Sequence, residues 1–191
     1  MDFTEIAPGV RWKPACNDGR PFSYTNTYIL SSDIGPLLVE PVHFDELEAW
    51  VELIRQEQIT AIVLTHHHVD HTYGVHPLQS ATGCEVWGPT KGKALRQQYT
   101  LSRVLVEGDD LGGWRVLETP GHDLEHIVLY NGGTLVAGDV RKVGTGWPHD
   151  LIKSIQRLIS INPETVLFAH GLPALHHSFA VWGKLLMEER S

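Results

Sequence analysis

Cysteine is scarce in this chain. Cys16 and Cys84 are the two among 191 residues, too few for a disulfide framework, and neither belongs to a C-x-x-C metal pair. Cys84, just ahead of Glu85-Val86-Trp87, reads as a buried strand residue, while Cys16 lies in an irregular segment and is a candidate for a thiol exposed near a site. Long apolar runs are missing as well, so no segment reads as a membrane span. Met1-Asp2-Phe3-Thr4-Glu5 has neither the basic nor the apolar stretch of a secretory signal, and a soluble, cytoplasmic protein is expected. Positive charge is in deficit: 15 Lys and Arg stand against 23 Asp and Glu, a net charge of -8. That argues against a broad phosphate-binding surface, and hence against nucleic acid as a partner. Repeats, low-complexity tracts and interdomain linkers are absent too. With 42% hydrophobic residues the chain can bury a full core, and residues 1–191 are expected to form a single domain with no second, substrate-binding one.

What the chain has instead is histidine, 12 residues in all, concentrated where the apolar run Ala61-Ile62-Val63-Leu64 ends. Thr65-His66-His67-His68-Val69-Asp70-His71 reads as H-x-H-x-D-H. Side chains of an extended segment repeat every second residue, so His66 and His68 face one way and can meet one ion. Asp70 and His71 are adjacent and cannot share that face while the chain stays extended; a turn there aims at least one of them at a second point. The pattern therefore points to two metals.

Elsewhere strands and helices alternate in two halves. Val10-Arg11-Trp12-Lys13, Thr27-Tyr28-Ile29-Leu30 and Leu37-Leu38-Val39-Glu40 read as strands. Phe44 to Gln58 reads as a helix, with Leu47, Trp50, Val51 and Ile54 at helical spacing and Asp45 near its start. Ala61 to Leu64 is a buried strand that delivers the histidine cluster at its C-terminal end, where ligand sites of α/β folds collect. Further on, Trp114 to Thr119 alternates as a strand. Ile127 to Tyr130 and Thr134 to Ala137 flank the hairpin signal Asn131-Gly132-Gly133. Asp150 to Ile161 reads as a helix closed by Asn162-Pro163, followed by the strand Thr165 to Ala169.

The ends of these strands carry three more elements: Thr119-Pro120-Gly121-His122, Ala137-Gly138-Asp139 and Ala169-His170-Gly171. Together and in this order with the histidine cluster they resemble the motifs of the metallo-β-lactamase-fold superfamily, over a span from about Asn26 to Gly171. The resemblance implies an α/β (α+β) fold, a four-layer αββα sandwich of two mixed β-sheets flanked by helices. It also implies a ligand set, with His66, His68 and His122 on one metal, Asp70, His71 and His170 on the other, and Asp139 bridging. Imidazole and carboxylate suit two divalent ions, zinc foremost, with iron or manganese also compatible. The implied activity is hydrolysis of an ester-like bond (a thioester, lactone or related bond) of a small-molecule substrate, as in the glyoxalase II-like and lactonase-like branches. In that chemistry a metal-bridging hydroxide attacks and Asp70 orients it as the catalytic residue.

Two departures bear on the branch. The last motif falls about 20 residues from the end of the sequence, without the helical domain by which glyoxalase II enzymes bind glutathione thioesters or the cap domains of the nuclease branches. Relatives that oxidise persulfides with one iron resemble one another in a G-R-x-D-F stretch, whereas Val140-Arg141-Lys142-Val143-Gly144 stands in that place. A persulfide dioxygenase and a non-catalytic metal-binding domain of the same fold are the alternatives. The oligomeric state, a homodimer included, is left open.

Other residues carry two readings each. Glu40 stands where the family has Asp, and is either a carboxylate holding a ligand histidine in one tautomer or a surface acid. His126, where relatives carry a small residue, either contacts the ligands, narrows the substrate channel or is a satisfied structural histidine, the last being preferred. His43, His67, His76 and His176-His177 are read as structural or solvated. Trp12, Pro14, Phe22 and Tyr24 around Asp18-Gly19 suit a flap over an apolar substrate portion, as Gly144, Gly146 and Trp147 suit a substrate loop from Val140 to His149, or both groups close the core edge. Arg141 and Lys142 either bind a substrate carboxylate or phosphate or are solvated charges.

Overall fold

A computed structural model of the chain describes residues 2–16, 19, 22–42, 47–90, 98–141, 144 and 146–175. The expectations for Phe44 and Asp45, and for Asp18, His43, Lys142, Val143 and His176-His177, lie outside these residues.

Strands β1 (Thr4–Ala7), β2 (Val10–Lys13), β3 (Thr27–Leu30) and β4 (Leu37–Val39) precede helix α1 (Leu47–Gln56). Strand β5 (Ala61–Val63) leads into α2 (Val69–Thr72) and α3 (Val75–Thr82), and then come β6 (Glu85–Gly88) and β7 (Arg103–Val104). The second half holds β8 (Arg115–Glu118), β9 (Ile127–Tyr130), β10 (Thr134–Gly138), α4 (Pro148–Ile161) and β11 (Thr165–Phe168). The first seven strands form one sheet in sequence order, antiparallel from β1 to β4 and parallel from β4 to β7. The other sheet has the order β11-β10-β9-β8, with β10 and β11 parallel.

Strand periodicity explains the layering, since alternate residues point to opposite faces. Tyr28, Leu30, Leu37, Val39, Ala61 and Val63 of the first sheet share a buried cluster with Val116, Ile127, Leu129, Val136 and Leu167 of the second. The residues between them face outward. Ile29, Leu38, Ile62 and Val86 pack with Trp50 and Ile54 of α1 and with Val75 and Leu78 of α3. Leu117, Val128, Leu135 and Val166 pack with Leu151, Ile155 and Leu158 of α4. Both faces of both sheets are thus covered, as the apolar runs require, and the result is the αββα sandwich with mixed sheets.

The helices end where their sequences say they should. α4 starts with Pro at its first turn and ends at Asn162, left-handed at φ 45°, whose N–H reaches Leu158 O at 3.2 Å. α3 ends at Gly83, φ 70°, in the same manner. Among the described residues no helix is long and apolar enough to cross a membrane.

Candidate metal centre

Four strands deliver the predicted residues to one end of the sandwich. β5 runs out into Thr65-His66-His67-His68, β8 into His122, β10 into Asp139 and β11 into His170. The turn expected after His68 is the one-turn helix α2, which begins directly after His68, itself still extended at φ −64°, ψ 149°. Gly138 sits at a register shift of β10 with φ 50°, and a Cβ there would lie 2.5 Å from Thr65 Oγ1 and 2.7 Å from His126 Nε2. Only glycine fits, and the irregularity turns Asp139 into the site.

All seven predicted ligands come together. Nδ1 of His68 lies 3.1 Å from His66 Nε2 and 3.0 Å from His122 Nε2. Asp70, His71 and His170 form a second group whose donor atoms lie within 4.8 Å of one another. Asp139 stands between the groups, with Oδ2 3.4 Å from His122 Nε2 and 3.8 Å from His71 Nε2, and Oδ1 3.2 Å from His170 Nε2.

The outer ring nitrogens set the tautomers, here inferred from partners. His170 Nδ1 donates to Tyr24 O at 3.0 Å and His66 Nδ1 to Thr65 Oγ1 at 3.0 Å, while Thr65 Oγ1 donates in turn to Glu40 Oε1. His71 Nδ1 lies 3.0 Å from Glu40 Oε2 and His68 Nε2 3.4 Å from Asp123 Oδ2, both electrostatic contacts that favour a proton on the outer nitrogen. The inner nitrogens therefore point into a common space, where each would offer a lone pair to an ion once its proton is displaced, the arrangement that holds a metal-binding histidine in place.

The fit to metal ions is tested by how the inner atoms are partnered. Nε2 of His71 and Nε2 of His170 are buried and make no well-formed hydrogen bond, only ion-pair contacts of 3.2–3.8 Å with Asp70 and Asp139, and a cation between these nitrogens and carboxylates would satisfy both. His68 Nδ1 faces two other imidazole nitrogens and cannot satisfy both by donating one proton. Their spacing is close to the edge of about 3.3 Å that a tetrahedral ion with bonds of about 2.0–2.1 Å imposes on its nitrogens. The residues fit divalent metal ions.

The charges show how strongly the groups depend on one another. Burial would favour a neutral Asp139, yet His170 and His71 outweigh it and hold its carboxyl far below the usual range. Asp70 is lowered in the same way, burial being overcome by His170 and His71. Burial opposes a charged His71, but Glu40 and Asp139 push it up to about 10. His170, likewise against burial, is raised by Asp139 and Asp70 to about 9. His66 moves the other way, driven well below its ordinary value by burial and by His71.

Of the residues with two readings, Glu40 is 1% exposed and is no surface acid. It lies just beyond β4, not within the strand as expected, at φ 53°, and that left-handed conformation swings its carboxylate onto Thr65 and His71. His126, also buried, accepts the Asp139 N–H at Nε2 (3.2 Å) and reaches Thr119 Oγ1 with Nδ1 (2.8 Å). It is satisfied, and through the Asp139 backbone it also touches the site. His67 is structural as expected, between Tyr99 Oη at 2.6 Å and Pro89 O at 2.8 Å. Trp12 packs against the inter-sheet core and closes its edge, whereas Phe22 and Tyr24 stay with the site, Tyr24 stacked 5.3 Å from His170. Arg141 is not a solvated charge: it donates to His170 O at 2.7 Å and lies 4.1 Å over Phe168. Cys16 is exposed and Cys84 buried.

Two further residues support the site and were not expected. Asp123 follows His122 directly, so an acid beside a ligand was the available signal. Asn26 carries none: its amide donates to Phe168 O at 2.9 Å and Gly171 O at 2.6 Å, tying the His170 loop to the start of β3.

A two-sheet sandwich with paired histidine-carboxylate clusters at the strand ends defines a metal-centre α/β protein. Comparison with known proteins gives the family. Residues 20–103 match the model of the metallo-beta-lactamase superfamily. A hydroxyacylglutathione hydrolase of Idiomarina loihiensis is 35% identical over 156 residues, covering 76% of this chain and 60% of that protein. The crystal structure of TTHA1623 in a di-iron-bound form superposes with a TM-score of 0.70 at 28% identity, over 82% of this chain and 91% of its own. The BLEG-1 B3 metallo-beta-lactamase shares the fold at TM-score 0.69 and 23% identity, over 90% and 94% of the two chains. The chain belongs to the metallo-β-lactamase superfamily. It spans 54% to 60% of the length of the first curated relatives that it matches.

Proposed function

We propose that this chain, as a single metallo-β-lactamase-fold domain, is a metal-dependent hydrolase of an ester-like bond in a small molecule, a thioester foremost. The observation that carries the reading is the convergence of the buried inner nitrogens of His71 and His170 on the carboxylates of Asp70 and Asp139, at ion-pair distances without a well-formed hydrogen bond. The name of the curated relatives, hydroxyacylglutathione hydrolase, supports the bond type.

In this reading His66, His68 and His122 would hold one ion, Asp70, His71 and His170 would hold the other, and Asp139 would serve both. The donor set suits zinc, and iron or manganese as well. Two cations there would lower the pKa of a water between them and polarise the carbonyl under attack. The chain's own residues do the rest. Asp70, ionised at neutral pH, accepts a hydrogen bond from the attacking water and aims its lone pair. Glu40, Asp123, Thr65 and the Tyr24 carbonyl hold the imidazole protons on the outer side, so the rings do not turn. The overall change is R–CO–SR′ + H2O → R–COO⁻ + R′–SH + H⁺, and no side-chain nucleophile is needed.

The test is metal analysis together with a hydrolysis panel of thioester, lactone, phosphoester and β-lactam substrates on reconstituted protein, with Asp70→Ala beside it. Two ions per chain and thioester turnover lost in Asp70→Ala are expected. One iron with oxygen consumption, or full activity in the variant, would sink the reading.

A further inference from the structure

The exposed large apolar side chains are unevenly spread. Nine are found among the described residues, and six of them border the metal-centre motifs: Tyr24, Val69, Tyr73, Leu124, Trp147 and Leu172. Val69 lies between His68 and Asp70, and Tyr73 and Leu172 each lie two residues beyond a predicted ligand. Leu124 lies two beyond His122, and Trp147 follows Gly146, whose N–H bonds His122 O at 3.0 Å. Scattered single apolar residues are ordinary, but a set gathered on the mouth of one site is a binding feature.

Phe22 joins one side of this rim, its ring 4.8 Å from Tyr73 and 6.3 Å from Tyr24. It is left-handed at φ 61°, a conformation that disfavours a bulky residue and tends to be kept where function requires it. The aromatic group is thus built onto the site, continuous with His170 through Tyr24.

Charge sharpens the argument. In the described parts of the ligand loops the one lysine or arginine is Arg141, whose guanidinium bonds the His170 carbonyl and lies over Phe168. Acids are at hand in Asp123 and Glu125, and the whole chain carries -8. A substrate bearing several carboxylates, such as a glutathione conjugate, would meet apolar surface and negative charge there. A neutral acyl chain would bury apolar area against Phe22, Tyr73 and Leu172.

Resting on the hydrolase reading, we infer that the preferred substrate is a neutral thioester or ester with a medium-length apolar acyl chain, which lies along the rim of Phe22, Tyr73 and Leu172 while its carbonyl enters the metal centre. The partner is a small molecule because the rim is continuous with the reactive atoms.

The test is a series of acetyl, butyryl, hexanoyl and octanoyl thioesters of one neutral thiol, beside a hydroxyacylglutathione, on metal-loaded protein. For each turnover substrate, a thioether of the same length serves as a non-hydrolysable probe of equilibrium binding, with metal-loaded and metal-free protein. Partial burial predicts a gain in kcat/KM of about twofold to threefold per methylene, carried by KM, and the same trend in thioether affinity. In Tyr73→Ser and Leu172→Ser the octanoyl-to-acetyl ratio should fall about tenfold while the circular dichroism is unchanged. A preference for the glutathione conjugate, or affinity independent of chain length, overturns the inference. So do rim variants that convert a dimer into a monomer in sedimentation, or that abolish binding to phosphatidylcholine vesicles, since the rim would then be an interface between copies or a lipid contact. Length-dependent thioether binding without hydrolysis of any member would instead support the apolar site and remove the hydrolase reading.

Discussion

Nε2 of His126 accepts the backbone N–H of Asp139 at 3.2 Å, so a residue with no lone pair directed at an ion helps to fix the carboxylate that serves both clusters. Burial, aided by the nearby His122, lowers the His126 pKa to about 3, and the ring remains a neutral acceptor at any working pH. His126→Ala removes that acceptor and leaves both a buried N–H and a void. A loss of about 2–4 kcal/mol of stability is expected by denaturant titration, with the bound metal falling below two ions per chain. Unchanged stoichiometry would show that Asp139 is positioned without it.

Glu40 reaches both clusters, through Thr65 to His66 and directly to His71. Glu40→Gln keeps the shape and removes the charge. Zinc affinity, measured against a chromophoric chelator, should drop about tenfold or more, and kcat should fall with it. If affinity is retained, the carboxylate does not set the histidine tautomers.

Protonation of the metal-free protein gives a signed prediction. His71 at about 10 and His170 at about 9 stand above the unfolded value of about 6.5. Their stabilisation is complete below that value and is lost as pH rises through 9 to 10. His66 and His126 are lowered, so their neutral burial weakens the fold as pH drops under about 6.5. Melting temperature after chelation should therefore peak between these limits. Adding zinc at pH 7.5 should release protons from His71 and His170, to be read by calorimetry in buffers of different ionisation enthalpy. A flat melting profile, or zinc uptake without proton release, contradicts the assigned charges.

Gly121 has φ 138°, and a Cβ on it would collide with the backbone and side chain of Leu151 at the start of α4. Gly121→Ala should cost roughly 3 kcal/mol or more, whereas Gly132→Ala, with open space around it, should cost about 1 kcal/mol from its φ of 91° alone. Equal melting points for the two would show that the loop before His122 yields easily.

The predicted ligands were legible because each lies beside a strand whose period and termination are local properties. Strands β2, β3, β5, β9 and β11 and helix α4 could be read for the same reason. The short edge strands β1 and β7 could not, since four and two residues of sheet are held by pairing with their partners rather than by their own pattern. Glu40 was ambiguous because its direction depends on one backbone angle at the end of β4, and alternation had placed it in the strand. Asn26 left no trace at all, because its partners at Phe168 and Gly171 lie about 140 positions away. Trp12 and Tyr24 have similar compositional surroundings, and packing alone put one under the core edge and the other against His170.

The dependence of His170 on Asn26, Arg141 and Tyr24 has a consequence for how the protein matures. His66, His68 and His122 all precede β11 in the sequence, so every member of one nitrogen triad is synthesised while the other cluster still lacks its last member. The second cluster waits for the closing strand to dock beside β10 and for the segment before β3 and the loop after β10 to grip its tip. Under the two-ion reading, the order of synthesis therefore completes the triad of three imidazoles before the cluster that ends at His170.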